Sequence, residues 1–289
     1  ASALILTGSP VAGRFTFSRG VDHIRLPGVV KTPEGDYVSQ SLDMSIDQTT
    51  GLRAGVIEAA TEDFNPDLVI VDKEATGFRG EMLPTLERVK AAGRARLVLG
   101  IRDILDAPEL LEPEWERKGA LQAAEEFYDQ IWVYGDERVY DPLRGLNVSA
   151  ELKSRVRFTG YLRREVPAEA NTLQPVKPYI LITPGGGGDG EALVEWTLKA
   201  YEADRTLQPD ALIVYGPFLR GETRADFDRR VAALQPKVSA VGFDSRIEVL
   251  MRDAQGIVAM GGYNTFCEIL SFDRPAVIAP RKKPRMEQY

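Results

Sequence analysis

The sequence predicts an α/β protein with two doubly wound, Rossmann-like domains, each built on a parallel β-sheet. Three observations support this prediction. Short apolar runs rich in valine, isoleucine and leucine recur along the chain, and amphipathic stretches of helical spacing separate them. The runs show no polar alternation, which is typical of parallel strands covered on both faces. The pattern is interrupted by a polar stretch with three prolines near the middle of the chain.

The apolar runs define the predicted strands. Those before the polar stretch are ALILT, LVIVD, RLVLGI, QIWVY and VRFTG, and those after it are YILIT, ALIVY, GIVAM and AVIAP. Between them, apolar residues at helical spacing predict helices over residues 81–92, 114–128, 191–201, 225–234 and 265–271. Strands and helices that alternate in this way are typical of doubly wound sheets.

The domain boundary is predicted at the polar stretch. Residues 1–162 form the first predicted domain, residues 163–178 the linker and residues 179–289 the second domain. Two such domains are expected to face each other across a cleft, with ligands at the carboxyl ends of the strands. Both ends of the chain are expected to lie inside a longer protein, which would add a first strand and its loop before residue 1 and helices after residue 289.

Composition narrows the function classes. The 289 residues carry a formal net charge of −7, which argues against nucleic-acid binding because phosphate contacts need a basic face. One histidine, His23, and one cysteine, Cys267, argue against a disulfide framework, a zinc site and a Cys/His nucleophile. No apolar run reaches the roughly 20 residues that span a bilayer. The predicted location is the cytoplasm, and peripheral contact with the inner face of the membrane stays open.

A glycine-rich loop follows the predicted strand YILIT. It contains Gly185, Gly186, Gly187 and Gly188, and then Asp189 and Gly190. The spacing satisfies G-x-G-x-x-G, but the next strand ends in Gly216 instead of the acidic residue of a dinucleotide site, and no Walker lysine follows. The loop is interpreted either as a tight turn or as a close backbone contact for an anion or a sugar. Four consecutive glycines exceed the needs of a turn and favour the contact.

A second glycine pair stands between the predicted strand GIVAM and a helix. Gly261 and Gly262 end the strand, and Tyr263, Asn264 and Thr265 open the helix. Free amides at a helix start can bind a pyrophosphate, and the hydroxyl and amide side chains would add hydrogen bonds. Glu268 has two interpretations of equal weight: it completes a capping box with Thr265, or it accepts hydrogen bonds from two ribose hydroxyls.

A cationic loop follows the last predicted strand. Four cations lie within a segment of five residues, although the chain as a whole is acidic: Arg281, Lys282, Lys283 and Arg285. Such a run is usually solvated surface, but beside a helix start on the same sheet edge it would attract a polyanion. Glu287 and Gln288 follow, and this polar pair suits the hydroxyls of a hexose.

The residues from 261 to 288 resemble a known family. Gly-Gly-x-Asn-Thr-x-x-Glu, followed by a strand and a loop ending in Glu-Gln, is similar to the donor half of GT-B glycosyltransferases, nearest to their MurG-like group. The stretches PDLVIVDKEATGFRGE, RLVLGIRDILD, YDQIWVYGDERVYD and FTGYL resemble a bacterial branch of uncharacterised predicted glycosyltransferases. Together these similarities extend over essentially the whole chain.

The resemblance implies a function for each segment. It implies an inverting, metal-independent hexosyltransferase that takes its sugar from a nucleotide diphosphate, most simply UDP, and needs no further cofactor. Residues 1–162 would bind the acceptor, and whether that acceptor is linked to lipid or phosphate is left open. Residues 179–289 would bind the donor, with the nucleobase on the backbone of GFDSRIEVLMRDA. The implied donor contacts are Tyr263, Asn264 and Thr265 for the pyrophosphate, Glu268 for the ribose, Glu287 and Gln288 for the hexose, and Gly185–Gly188 along the site.

The catalytic group is less well defined by the sequence. The MurG-like group carries a glycine-rich loop, often with a histidine, after its first strand; that segment would precede residue 1, and His23 does not match it. The candidate for the base is Asp103, beside Arg102, at the end of a predicted strand, and a turn-capping role is its alternative. Lys73 is a candidate contact for a phosphate on the acceptor, with a structural ion pair as the alternative. No Asp-x-Asp metal motif follows a predicted strand.

Two other functions fit the same residues. Nucleotide-sugar epimerases and hydrolases share the donor half and need no acceptor site. A non-catalytic donor-binding subunit would depend on a partner protein for activity, and the long first domain of this chain argues against it.

Overall fold

The computed structural model describes residues 1–32, 36–166, 178–186, 188–281 and 287–288. Contacts divide the chain into two compact units, Ala1–Gly160 and Tyr161–Tyr289. Both units are α/β with parallel sheets, which confirms the predicted fold class. Most of the predicted linker, residues 167–177, lies outside the described residues, as do Gly187, Lys282, Lys283 and Arg285.

The first unit contains a four-stranded parallel sheet of order β5–β6–β7–β8, a parallel pair β1–β2 and an antiparallel hairpin β3–β4. These strands are β1 (Ala3–Thr7), β2 (Val21–Arg25), β3 (Val29–Lys31), β4 (Tyr37–Ser39), β5 (Leu68–Asp72), β6 (Arg96–Arg102), β7 (Gln130–Tyr134) and β8 (Val156–Phe158). The helices are α1 (Ile46–Phe64), α2 (Leu83–Ala92), α3 (Pro108–Arg117), α4 (Ala120–Phe127) and α5 (Ala150–Ser154).

The core of the first unit lies on one face of its four-stranded sheet. Strand residues at alternating positions share this core with apolar side chains of α2, α3 and α4, including Leu86, Trp115 and Phe127. The register places Leu68 and Ile70 on the opposite face, where 43% and 47% of their surfaces stay exposed. In the described part of the unit, the helices therefore cover one face more completely than the other.

Helix α1 was not predicted from the sequence. It begins with a capping box, in which the Gln48 amide donates to Ser45 Oγ (3.2 Å) and the Ser45 amide donates to Gln48 Oε1 (3.0 Å). The residues that it buries are Thr49, Arg53 and Ile57, so its inward face carries little of the apolar periodicity that reveals a helix.

A buried ion pair explains why Arg53 faces inward. Its Nε lies 2.5 Å from Glu81 Oε2 and its Nη2 lies 2.7 Å from Oε1, while Nη1 donates to the Pro27 carbonyl at 2.7 Å. A Cβ built at Gly8 would lie 2.9 Å from Nη1, so the end of β1 also closes on this guanidinium. One arginine thus joins α1 to three other segments of the unit.

The second unit contains a five-stranded sheet of order β11–β10–β9–β12–β13, and every pair in it is parallel. The strands are β9 (Tyr179–Thr183), β10 (Asp210–Val214), β11 (Val238–Val241), β12 (Gly256–Ala259) and β13 (Ala276–Ile278). The helices are α6 (Glu191–Ala203), α7 (Gly221–Leu234), α8 (Ile247–Asp253) and α9 (Tyr263–Phe272).

Helices cover both faces of the second sheet. One core cluster joins Ile182 of β9 to Leu198 of α6 and Val231 of α7. The other joins Leu181, the adjacent residue of β9, to Leu250 of α8. Because successive strand residues point to opposite faces, α6 and α7 pack on one side and α8 and α9 on the other, which is the doubly wound arrangement.

Three helix predictions are corrected by the structure, and the first is the helix predicted over residues 225–234, which already begins at Gly221. The single helix predicted over residues 114–128 is two helices, α3 and α4, separated at Gly119, whose φ of +60° lies in the left-handed region that a helix cannot continue through. The helix predicted to start at Thr265 begins two residues earlier, at Tyr263. In the described part of the chain, no helix is both long and apolar enough to cross a membrane.

Candidate functional site

The second sheet has a topological switch point between β9 and β12. From β9 the chain moves outward through β10 and β11, and then returns to the other side of β9 to form β12 and β13. The register sets Thr183, Ala259 and Ile278 at one level, so the loops that follow these residues leave the sheet at a common edge. Ligands of open α/β sheets bind in the crevice at such a point, outside the carboxyl ends of the strands.

The glycine-rich loop after β9 has packing reasons for several of its glycines. Gly185 has a φ of +75°, which favours glycine. A Cβ at Gly190 would lie 1.9 Å from the Cβ of Pro184, and a Cβ at Gly186 would lie 3.4 Å from the ring of Phe218. Gly185 and Gly190 therefore meet conformational and steric demands of the fold, which the sequence could not separate from ligand contact, whereas a side chain at Gly186 would make only an ordinary contact.

Gly216 connects this loop to the next one. Its φ is +88°, and a Cβ there would lie 2.4 Å from the carbonyl oxygen of Gly185. Two residues later the amide of Phe218 donates to the carbonyl of Gly186 at 3.0 Å. These contacts hold the loops after β9 and β10 together and leave the Phe218 ring half-exposed beside the glycine loop.

The start of α9 lies at the switch point and is not capped by a side chain of the described residues. Gly262 is the N-cap residue, and the first bond of the helix runs from the Phe266 amide to the Gly262 carbonyl at 2.9 Å. Because the helix begins at Tyr263, Thr265 is already inside it, and the capping-box interpretation of Thr265 and Glu268 is wrong. Thr265 is buried, and its Oγ1 lies 3.5 Å from a Cβ built at Gly185, so the two glycine loops meet here.

Arg281 ties the C-terminal residues to the glycine loop. Its guanidinium pairs with Asp189, which follows Gly188, and lies 2.5 Å from Glu287 Oε1. The Arg281 amide donates to Gln288 Oε1 at 3.2 Å, and the Cβ of Gln288 lies 3.3 Å from a Cβ built at Gly261. The structure thus brings Arg281, Glu287 and Gln288 to the edge where α9 begins, but the positive charge of Arg281 is already balanced by two carboxylates.

Glu268 lies on α9, about one and a half turns from its start, and is partly buried. Burial, and then repulsion from Glu248, raise the pKa of Glu268 to about 7, although Arg164 opposes the rise. A carboxyl group with so high a pKa changes its charge close to neutral pH. Perturbed carboxyl groups of this kind are frequent at functional sites.

The predicted catalytic residues of the first unit lie together at the ends of β5 and β6. Asp103 follows β6, is buried, and accepts a hydrogen bond from the Ile104 amide at 2.9 Å. A Cβ at Gly135 would lie 2.4 Å from the Cβ of Asp103, so its side chain packs between the ends of β6 and β7. Lys73 has a φ of +67°, and its amide donates to the Gly100 carbonyl at 2.7 Å.

Asp72 is a candidate residue that the sequence analysis missed. It is the last residue of β5 and remains solvent-accessible, in contrast to Asp103. Although the residue as a whole is accessible, its carboxyl group is partly desolvated, and this raises the pKa of Asp72, while the nearby charges of Arg102 and then Lys73 act to lower it. Its position at the end of the strand LVIVD was the available signal.

Tyr134 completes this group on the first unit. A Cβ at Gly100, the register partner of Asp72, would lie 1.9 Å from the Tyr134 hydroxyl oxygen, so the absent side chain makes room for the ring. Burial, and then the charge of Asp72, raise the pKa of Tyr134. Asp72, Lys73, Arg102 and Tyr134 therefore form one interacting polar cluster at the carboxyl edge.

Comparison with known proteins identifies the fold. No protein-family model and no curated protein sequence matches the chain. A UDP-glucosyltransferase from Polygonum tinctorium has a similar structure, with 12% identity and a TM-score of 0.58; 99% of this chain and 81% of that one are covered. MurG from Acinetobacter baumannii is 12% identical, with a TM-score of 0.50 and coverage of 100% and 80%. UDP-GlcNAc 2-epimerase from Neisseria meningitidis is 14% identical, with a TM-score of 0.55 and coverage of 100% and 84%.

These similarities show the fold, which is that of the GT-B glycosyltransferases. The predicted fold type is confirmed. Because the identities are 14% or lower, the similarity to these proteins extends to the fold alone.

Proposed function

We propose that this protein binds a nucleotide-diphosphate sugar at the carboxyl edge of its second sheet and transfers the hexose to an acceptor hydroxyl with inversion, without a bound metal. The observation that carries the proposal is the meeting of three segments at the switch point. They are the glycine loop after β9, the uncapped start of α9, and the pair Glu287 and Gln288. UDP-sugars are the first donors to test, because similar structures include a UDP-glucosyltransferase and a UDP-GlcNAc 2-epimerase.

The pyrophosphate is assigned to the first turn of α9. Helix geometry leaves the amides of Asn264 and Thr265 without acceptors inside the helix, and the helix dipole adds about half a positive charge there. Departure of the nucleoside diphosphate develops negative charge at these groups, so preorganised amides stabilise the transition state more than the ground state. Arg281 contributes mainly by holding the loops, because Asp189 and Glu287 already neutralise it.

The sugars are assigned to three polar side chains. An ionised Glu268 can accept hydrogen bonds from both hydroxyls of a ribose. Glu287 has one oxygen shielded from water that lacks a donor within the described residues, which suits a hexose hydroxyl. Gln288 lies along Gly261, next to the pyrophosphate position.

Removal of the proton from the acceptor hydroxyl is assigned to Asp72 in preference to Asp103. A general base has to reach the attacking hydroxyl, and Asp72 is accessible whereas Asp103 is buried against its own turn. The raised pKa also makes the Asp72 carboxylate a stronger base. Lys73 and Arg102 supply positive charge beside it, which would attract a phosphate-bearing acceptor.

Epimerisation or hydrolysis of the donor is the second candidate. The structural similarity to UDP-GlcNAc 2-epimerase is as extensive as that to the glycosyltransferases. Incubation of the protein with UDP-GlcNAc alone, followed by NMR, separates the candidates: an epimer or free sugar supports the second, and an unchanged donor that is consumed when acceptor is added supports transfer.

Glu268→Ala is expected to weaken nucleotide-sugar binding at least tenfold at pH 8, because the ribose loses a charged acceptor. The measurement is a thermal-shift titration with a panel of nucleotide diphosphates and their sugars, in which a ligand at a hundred times its Kd stabilises the wild type by about 2.7 kcal/mol. Glu222→Ala, at an exposed glutamate in the first turn of α7, is the control and should keep the full shift. An equal response of Glu268→Ala and the control would refute the ribose assignment.

Asp72→Asn is expected to lower kcat about 10²–10⁴-fold while the donor Kd stays unchanged, because the variant cannot accept the acceptor proton. Steady-state kinetics with the donor and acceptor found by screening provide the measurement. Asp136→Asn is the matched control, since Asp136 also follows a strand but is paired with Arg138 at 2.5 Å. If Asp72→Asn keeps the wild-type kcat and Asp103→Asn loses activity, Asp103 is the general base and Asp72 is not.

A further inference from the structure

A cluster of charged side chains surrounds Glu268 in the second unit. Glu248 belongs to the first turn of α8, and α8 packs against α9. Arg164 belongs to the segment that precedes β9. Neither residue has a role in the proposed function, yet the charges of both act on Glu268.

The segment that carries Arg164 is fixed along α9. The Tyr161 ring packs edge-on against Phe266, with 5.4 Å between the ring centroids. The Arg164 amide donates to Ser271 Oγ at 2.8 Å, and that hydroxyl donates to the Cys267 carbonyl at 2.6 Å. Because Ser271 lies three residues after Glu268, these contacts fix the backbone of Arg164 on the side of α9 that carries Glu268.

Glu248 and Arg164 retain uncompensated polar atoms. Among the described residues, Glu248 Oε2 and Arg164 Nε are shielded from water and have no hydrogen-bond partner. Their charges therefore act on Glu268 through a poorly solvated region, where electrostatic interactions are stronger than in water. The repulsion from Glu248 raises the pKa of Glu268, and the attraction of Arg164 lowers it.

The other charged groups on these elements are directed elsewhere. Arg252, Asp253 and Arg274 act on the Tyr179 hydroxyl, and the Asp244 side chain accepts from the Arg246 amide at 2.8 Å. Of the remaining charged side chains on these segments, Arg246 is partly exposed, and three are solvent-exposed: Arg163, Glu165 and Asp273.

We propose that Glu248 and Arg164 are positioning residues that set the charge of Glu268, so that loss of one proton from this carboxyl group switches the site to its nucleotide-binding state. This inference rests on the proposed function, in which Glu268 binds the ribose. An ionised carboxylate accepts from both ribose hydroxyls, whereas the protonated group keeps its own hydrogen and accepts less well. Glu248 favours the protonated state and Arg164 the ionised one.

The charge setting can be measured without a ligand. The pKa of Glu268 is raised in the folded protein from an ordinary value of 4.5 to about 7, so the protonated form favours folding. Relative to Glu268→Gln, the wild type should therefore lose stability as the pH rises from 4.5, and the loss should end near pH 7. Glu248→Gln is expected to move this end point to lower pH, and Arg164→Met to higher pH. Arg163→Met, at the exposed neighbour, should leave it in place.

Nucleotide binding is the second measurement. UDP-glucose is a suitable probe because its diphosphate carries no proton that titrates near neutral pH. Its Kd is expected to be about tenfold higher at pH 6 than at pH 8, since only about a tenth of the protein carries ionised Glu268 one pH unit below its pKa. Glu248→Gln should move this transition to lower pH and Arg164→Met to higher pH, in step with the stability end points.

The outcomes are distinguishable. The inference is overturned if the pH at which the stability loss ends does not move in opposite directions in Glu248→Gln and Arg164→Met. A general loss of stability would not produce opposite shifts. The inference is also overturned if these end points of the stability loss move as expected but the Kd of UDP-glucose does not depend on pH. If the end points of the stability loss move as expected but UDP-glucose binds at no pH, Glu248 and Arg164 set the charge of Glu268, and the proposed UDP-sugar site is wrong.

Discussion

Glu81→Gln is expected to lower the free energy of unfolding of the first unit by about 3–5 kcal/mol. Arg53 and Glu81 are 8% and 6% exposed, and the amide of the variant cannot balance the guanidinium charge. Arg53 would then remain buried without its counter-ion, which costs far more than the loss of a surface pair. Urea denaturation followed by circular dichroism measures the effect.

A control variant and a double variant test whether the buried charge is the cause of this effect. Asp47→Asn removes a comparable contact at the surface, the 2.9 Å pair with Arg79, where Asp47 is 81% exposed; its expected cost is below about 1 kcal/mol. Replacement of both buried partners, Arg53→Met with Glu81→Leu, should restore most of the stability because no buried charge remains. If Glu81→Gln costs no more than Asp47→Asn, the ion pair does not hold α1 in place.

Gly216→Ala is expected to destabilise the second unit and to weaken nucleotide-sugar binding more than tenfold. The φ of +88° alone costs an alanine on the order of 1–3 kcal/mol. The new methyl group would also lie 2.4 Å from the Gly185 carbonyl oxygen, so the glycine loop has to move away from the switch point. Thermal unfolding without ligand and calorimetric titration with UDP-sugars measure the two effects separately.

Gly221→Ala is the control for this variant. Gly221 is the first residue of α7, no atom lies within 4 Å of a Cβ built there, and alanine favours the helix. This control should bind ligand normally and be at least as stable as the wild type. Native affinity in Gly216→Ala would show that the contact between the two loops does not shape the binding site.

Most strands of the two larger sheets and the positions of the glycine loops were predictable because their signals are local, whereas β11 was not among the predicted strands. Each apolar run from β5 onward that was assigned to a strand forms one, and the carboxyl ends of β9, β12 and β13 indicated where the polar residues should converge. The order of the strands sets the switch point, and that order follows from pairing between segments far apart in sequence. The segment pattern alone predicted the fold class but not which loops touch.

The features that the sequence analysis missed depend on distant partners. Helix α1 escaped prediction because its inward Arg53 is matched by Glu81, 28 residues later. The interpretation of Thr265 as a cap failed because Gly262, with an extended backbone, already begins the helix. Asp72 was overlooked because exposure and nearby charges, which distinguish it from Asp103, are properties of the folded unit.

The ion pairs of Arg281 have a consequence for biosynthesis. Asp189 and Arg281 are separated by 92 residues, and Glu287 follows six residues after the arginine. On the ribosome, β9 and the glycine loop are therefore made long before the residues that brace them. The sheet can assemble from its centre while translation continues, but the contacts at its carboxyl edge are completed only when Arg281 and Glu287 have emerged.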